Sequence, residues 1–229
     1  LFAAAASAQS LPQEGDYIVR DYRFRSGETL PELRLHYRTI GTPLRDSRGK
    51  IRNGVLIMHG SSGDASQVLA SSMKDPLIGA GAPLDPAKHF LIFPDILGAG
   101  KSSKPSDGLR ARFPKYGYHD LVDLEHRLIS GHFGIERLVP VSSLPVKVDG
   151  RNLLWRRILS NAIRTDPEWK GGNYVEQPRG FLNIMPMFDM LVQSPVRLGE
   201  RLTTYDQADE YVREVIEETL RQTCRAPEH

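Results

Sequence analysis

At 229 residues the chain is long enough for one sizeable domain, or for a domain carrying an insertion. Hydrophobic content of 40% and charged content of 25% are ordinary for a soluble globular protein. A formal charge of +2, from 30 basic and 28 acidic residues, gives no reason to propose nucleic acid or an anionic membrane as partner. The single cysteine, Cys224, excludes an intrachain disulfide framework, and no apolar run approaches a membrane span.

Leu1–Ser10 is Ala-rich and closes on Ala6-Ser7-Ala8, the small-x-small pattern of a signal-peptide cleavage site, without the positively charged start. This predicts a signal-peptide remnant and a secreted or periplasmic protein. The plainer alternative is an Ala-rich tail on a cytoplasmic one. Asp16–Phe24 and Leu33–Thr39 each alternate apolar and polar residues, with the turn signal Ser26-Gly27-Glu28 between them. They read as two antiparallel strands with one wet face, and His36 reads as a strand side chain. Gly41–Asn53 is polar and turn-rich, a loop leading into the next strand.

Val55–Gly63 organises the chain: Val-Leu-Ile-Met runs into His59-Gly60, followed by Ser61, Ser62 and Gly63. A short apolar run bounded by glycines reads as a strand buried on both faces. The Ala/Ser/Leu/Met segment after it suits a helix, giving a strand–loop–helix unit of an α/β sheet. Such loops lie at the carboxyl ends of strands, where open α/β sheets bind ligands, and His-Gly with small residues lets backbone N–H groups face an oxyanion. The ordinary alternative is a plain strand-to-helix turn.

Asp75–His89 is punctuated by glycine and proline and reads as loop. His89–Asp95 is the next buried strand, and it ends in Gly98-Ala99-Gly100-Lys101-Ser102-Ser103. This ending looks like a phosphate loop, but the motif requires glycine where the chain has Asp95, which argues against nucleotide binding. Lys104–Tyr118 is a basic surface loop. His119–Phe133 has the apolar spacing of an amphipathic helix, with Gly134 placed to end it. His126 and His132 read as helix histidines and not as ligands, and nowhere does the spacing of His, Cys, Asp and Glu suit a metal. Leu138–Pro145 reads as a short strand holding Pro140. Asn152–Arg164 is a helix with a basic face, and Asp166–Tyr174 is a turn with aromatics. Phe181–Leu191 is apolar and Met-rich, helical with a break expected at Pro186. Tyr205–Gln222 is a surface helix, and Thr223–His229 has no pattern.

Three stretches, in order, resemble the homoserine O-acetyltransferase-like group of the α/β-hydrolase superfamily. They are Pro94-Asp95 with Gly98-x-Gly100-Lys101-Ser102-Ser103; Lys104–Phe113; and Asp166-Pro167-Glu168-Trp169-x-Gly171-Gly172-x-Tyr174. The likeness runs from about Gly15 to Gln222. It is quite specific to the group and less so to the homoserine reaction. It implies an α/β fold with a central, mostly parallel sheet and a helical cap inserted after the sixth strand. The chain then divides into a signal remnant (1–10), a hydrolase core (11–151), a cap (152–222) and a tail (223–229). It also implies acyl-serine chemistry, with serine, acid and histidine in that chain order. The Ser61 backbone N–H, after Gly60, would be one oxyanion donor.

The chain departs from that pattern. No Gly-x-Ser-x-Gly elbow occurs anywhere, and Gly60-Ser61-Ser62-Gly63 is too short to be one. Gly134–Leu138 resembles the lead-in to the elbow strand, and Val139–Pro145 resembles the strand after it. The two are fused, so a strand of about 5–6 and a helix of about 11–12 residues are expected to be missing. The acid and histidine should follow Gln222, where the chain has Thr223–His229. Val139–Ser142 is expected to take the vacant slot beside Val55–Met58, which would bring Ser142 and Ser143 near Ser61 as the candidate nucleophiles. They would lack a base unless His59 served, and two serines at a strand end are more often structural.

Three readings result. The first is an impaired acyltransferase or esterase by descent, acting on an acyl ester or thioester if active, with no cofactor. The second is a non-catalytic binding or oligomerisation scaffold, dimerising through the cap. The third is an ordinary serine acyltransferase whose natural sequence holds the missing segments.

Overall fold

The structure is a computed structural model and describes residues 11–60, 63–70, 74–135 and 149–223. The signal-remnant expectation, Ser61, Ser62, the fused 138–145 strand with Ser142 and Ser143, and most of the tail lie outside the described residues. The chain falls into two units, Leu1–Val141 and Ser142–His229.

In the first unit, β1 (Gln13–Arg23) and β2 (Thr29–Ile40) form the expected antiparallel pair, in register from Gln13↔Thr39 to Arg23↔Thr29. Alternation places Val19, Leu33 and Leu35 inward, and a change of phase at Asp21, whose φ is +49°, brings Tyr22 inward as well. After β3 (Gly54–Leu56) come α1 (Ala65–Ala70) and α2 (Lys74–Leu77), then β4 (Phe90–Pro94). The sheet order is β1-β2-β4-β3, with β2–β4 antiparallel and β3–β4 parallel. The fold is α/β, and the parallel character expected of the whole sheet belongs, among the described residues, to β3–β4.

β4 is buried along its whole length because both faces are covered. Phe90 and Ile92 enter one apolar cluster, with Leu35, Leu124 and Leu128; Leu91 and Phe93 enter a second, with Ala65 and Ile78. Each such side chain contributes roughly 1.5–3 kcal/mol by leaving water. The corresponding expectation for Val55–Met58 does not hold. Regular strand covers only Gly54–Leu56, Val55, Leu56 and Ile57 are half-buried, and Met58 is 44% exposed. The cause is position: among the described residues β3 is paired on one edge only, to β4.

α3 (Tyr118–His126) carries Leu124 into the first cluster and continues as a wider π turn, Arg127–His132, before ending at Gly134 with φ +72°, a conformation that favours glycine. His132 is hydrogen-bonded through Nε2 to Tyr37 Oη at 2.8 Å, so it is satisfied. Glu125, on the same helix, keeps carboxylate oxygen Oε2 buried with no hydrogen-bond partner, and burial pushes its carboxyl up to about 7.

The second unit is helical: α4 (Gly150–Arg164), α5 (Arg179–Val192), α6 (Pro195–Arg201) and α7 (Tyr205–Thr223), with α5 packed on both α4 and α7. No break occurs at Pro186. α5 runs through it, one backbone hydrogen bond short, and the proline is buried. Asp166 joins two elements. Its Oδ1 accepts the Glu168 N–H at 2.8 Å, capping the short helix Pro167–Gly172, and Oδ2 accepts the Gly180 N–H in the first turn of α5. Asp166→Ala is expected to destabilise this unit by about 0.5–2 kcal/mol, seen as a lower urea midpoint of its helical signal.

Candidate active-site loops

The loops after β3 and β4 meet at the carboxyl end of the parallel pair, and Asp95 holds them. Its side chain is almost fully buried. Oδ1 accepts the Ala65 N–H at the start of α1 (2.7 Å), and Oδ2 accepts the Lys101 N–H (2.8 Å). Its own N–H donates to the His36 carbonyl (2.8 Å), and its carbonyl accepts the Ser102 hydroxyl (2.5 Å). Ser102 Oγ accepts the His36 N–H in turn (2.8 Å). A buried carboxylate needs such partners. Gly100 sits against it with φ +51°, and a Cβ there would lie 2.1 Å from Asp95 Oδ2.

This explains the failed phosphate loop. The Gly98, Ala99, Lys101, Ser102 and Ser103 amides donate to Ser103 O, Ile96 O, Asp95 Oδ2, Ala99 O and Arg34 O. The Lys101 ammonium is also committed: at 2.6 Å from Glu14, with Arg38 alongside and against the effect of burial, it pulls the Glu14 carboxyl down to about 2.

His59, at the end of the β3 loop, is buried. The Ile96 N–H donates to its Nε2 at 3.1 Å, and Nδ1 lies 2.7 Å from the Gly60 carbonyl. A carbonyl only accepts, so Nδ1 carries the proton and Nε2 the lone pair. The Gly60 carbonyl also accepts the Gly63 N–H at 3.0 Å. Asp64 then caps α1, accepting the Gln67 N–H at 3.0 Å and the Ser66 hydroxyl. Burial opposes its charge, but the Ser66 hydroxyl, the Gln67 and Ser66 amides and Arg38 hold the Asp64 carboxyl below its usual range.

Of the sequence-predicted site residues, His59, Gly60 and Gly63 therefore come together, with Ile96 and Asp64. Ser61, Ser62, Ser142 and Ser143 lie outside the described residues. The base role considered for His59 does not fit, because both ring nitrogens are used. Among the described residues no serine hydroxyl is hydrogen-bonded to a histidine ring, the Ser102–His36 bond being to the backbone N–H, and no group of metal-ligating side chains forms. His36 is a buried strand side chain, its Nδ1 2.7 Å from Asp16 Oδ1. Sequence reasoning missed the roles of Asp95 and Asp64. An aspartate closing an apolar strand, and another just before a helix, were the available signals.

No family model matches the chain. It is 29% identical over 193 residues to a homoserine O-acetyltransferase of Thermobifida fusca, covering 67% of this chain and 50% of that one. It is 33% identical over 192 residues to the homoserine O-acetyltransferase of Trichormus variabilis, covering 69% and 51%. The chain thus spans about half the length of these relatives. The acetyl esterase MekB shares the fold, with TM-score 0.69 and 19% identity over 90% of this chain and 68% of that one.

Proposed function

As a chain of the homoserine O-acetyltransferase-like group of the α/β-hydrolase superfamily, the protein carries, we propose, the oxyanion side of an acyl-transfer or ester-hydrolysis site, and is catalytically impaired as it stands. The supporting observation is the doubly held Gly60 carbonyl, bonded by His59 Nδ1–H and Gly63 N–H. The residue after that carbonyl is Ser61, whose backbone N–H is the donor proposed for the oxyanion. In that reaction a serine oxygen would attack the acyl carbon of an ester or thioester, the alcohol or thiol would leave with the serine proton, and the acyl-serine would then pass its acyl group to water or an acceptor hydroxyl; Ser142 and Ser143 are the candidate nucleophiles. Impairment is supported by the occupation of both His59 nitrogens, which leaves that ring unable to take the serine proton.

Two measurements test this. Ethyl methylphosphonate, a stable tetrahedral anion, is expected to shift the amide signals of Gly60 and Gly63; an unmoved loop overturns the oxyanion assignment. A fluorophosphonate is expected to leave the intact mass unchanged; covalent addition at Ser142 or Ser143 overturns impairment.

A second reading is favoured by one observation. On α4 and α5, Leu153, Leu154, Met187, Phe188, Met190 and Leu191 are each 38% to 59% exposed. A scaffold that dimerises through these helices would bury them. Sedimentation equilibrium of the intact chain and of Met190→Glu separates the cases: a dimer lost in the variant supports the scaffold, and a monomer throughout removes it.

A further inference from the structure

The ring that cannot serve as a base does something else. We propose that His59 is a positioning residue for the oxyanion loop, acting as a two-ended clamp between the loops after β3 and β4. This deepens, and rests on, the acyl-transfer reading above. One end is the Nδ1–H held on the Gly60 carbonyl at 2.7 Å, and the other is the Ile96 N–H held on Nε2 at 3.1 Å. The ring is buried, so water does not compete readily for either bond.

The second bond explains why a histidine is needed. Gly60 is exposed and has no side chain to fix its peptide plane, and the Gly63 N–H alone would let that plane tilt. A side chain that only donated would hold Gly60 without an anchor of its own. Ile96 supplies the anchor, since it follows Asp95, whose carboxylate and backbone are tied to α1, β2 and the 98–103 loop. The orientation of the Gly60 peptide is thereby referred back to the buried centre of the sheet. An aligned donor adds to catalysis only if it is held before the charge develops.

Two variants separate the ends of the clamp. In His59→Asn the amide nitrogen replaces Nδ1, keeping the donor to Gly60 and losing the acceptor for Ile96. In His59→Gln the amide oxygen replaces Nε2, keeping Ile96 and losing Gly60. Three readouts apply to the intact chain. A long-range proton–nitrogen spectrum of the wild type is expected to show the Nδ1–H tautomer at His59. Amide exchange at Gly63 is expected to rise about fivefold to tenfold in His59→Gln and less than about twofold in His59→Asn, with the reverse at Ile96. Ethyl methylphosphonate affinity is expected to fall about fivefold to tenfold in His59→Gln, with His59→Asn retaining it within about threefold.

An Nε2–H tautomer, or equal exchange in the two variants, overturns the clamp. A wild-type loop that ignores ethyl methylphosphonate overturns the oxyanion reading, while the tautomer and the exchange pattern still decide whether the clamp exists. A residue needed only for folding would lower stability equally in both variants, without the crossed exchange pattern.

Discussion

Asp95→Ala is expected to be among the most damaging single changes in the first unit, costing about 2–5 kcal/mol. The carboxylate accepts two backbone N–H groups, from Ala65 and Lys101, and both it and Ala65 are buried. Each buried donor left without a partner costs about 1–3 kcal/mol, and a small cavity adds to this. Asp95→Asn is also expected to destabilise, because an amide has one accepting oxygen where two N–H groups converge. The measurement is urea unfolding followed by fluorescence, with an unchanged slope and a lower midpoint in both variants. A loss below about 1 kcal/mol for alanine would mean that water reaches the loop and replaces the carboxylate. Gly100→Ala, which forces a Cβ against the same carboxylate at positive φ, is expected to move the midpoint in the same direction.

The second large effect concerns pH. Burial raises the Glu125 carboxyl from 4.5 to about 7 in the folded chain, and its Oε2 has no partner. The sign follows from linkage: the native state holds this proton more tightly than the unfolded chain. The contribution is fully present below about 4.5 and is lost as pH rises through about 7. Glu125→Gln keeps the shape and removes the titration. It is therefore expected to match the wild type at pH ~5 and to be more stable at pH ~8, by about 1–2 kcal/mol, with about 3 kcal/mol as the ceiling implied by the shift. Thermal unfolding at the two pH values measures it. A wild type equally stable at both, relative to the glutamine variant, would mean that Glu125 is hydrated.

Much of the fold was legible because it depends on local pattern. Alternation located β1 and β2, the run Phe90–Pro94 marked a strand covered on both sides, and Gly134 ended the helix as expected. What misled were quantities set by neighbours distant in the chain. Val55–Met58 and Phe90–Phe93 look alike as sequence. Their burial differs because β4 has strands on both edges and β3, among the described residues, on one. Pro186 predicts a break, but its burial offsets the one lost hydrogen bond and the helix continues. At the candidate site the His59-Gly60 loop could be seen from the end of its strand. The proton's place on the ring could not, since it depends on an N–H 37 residues further on.

Asp95 also bears on how this loop could change. It binds its loop as an anionic ligand would, but through a tether, so its effective concentration is on the order of millimolar or higher and never falls. A diffusing phosphate would have to displace a competitor that cannot leave. Adding glycines or lysines around Gly98–Ser103 therefore raises attraction without opening a seat. Conversion to an anion site must begin with the loss of Asp95, and the first intermediate on that route would bear the full stability cost of its removal.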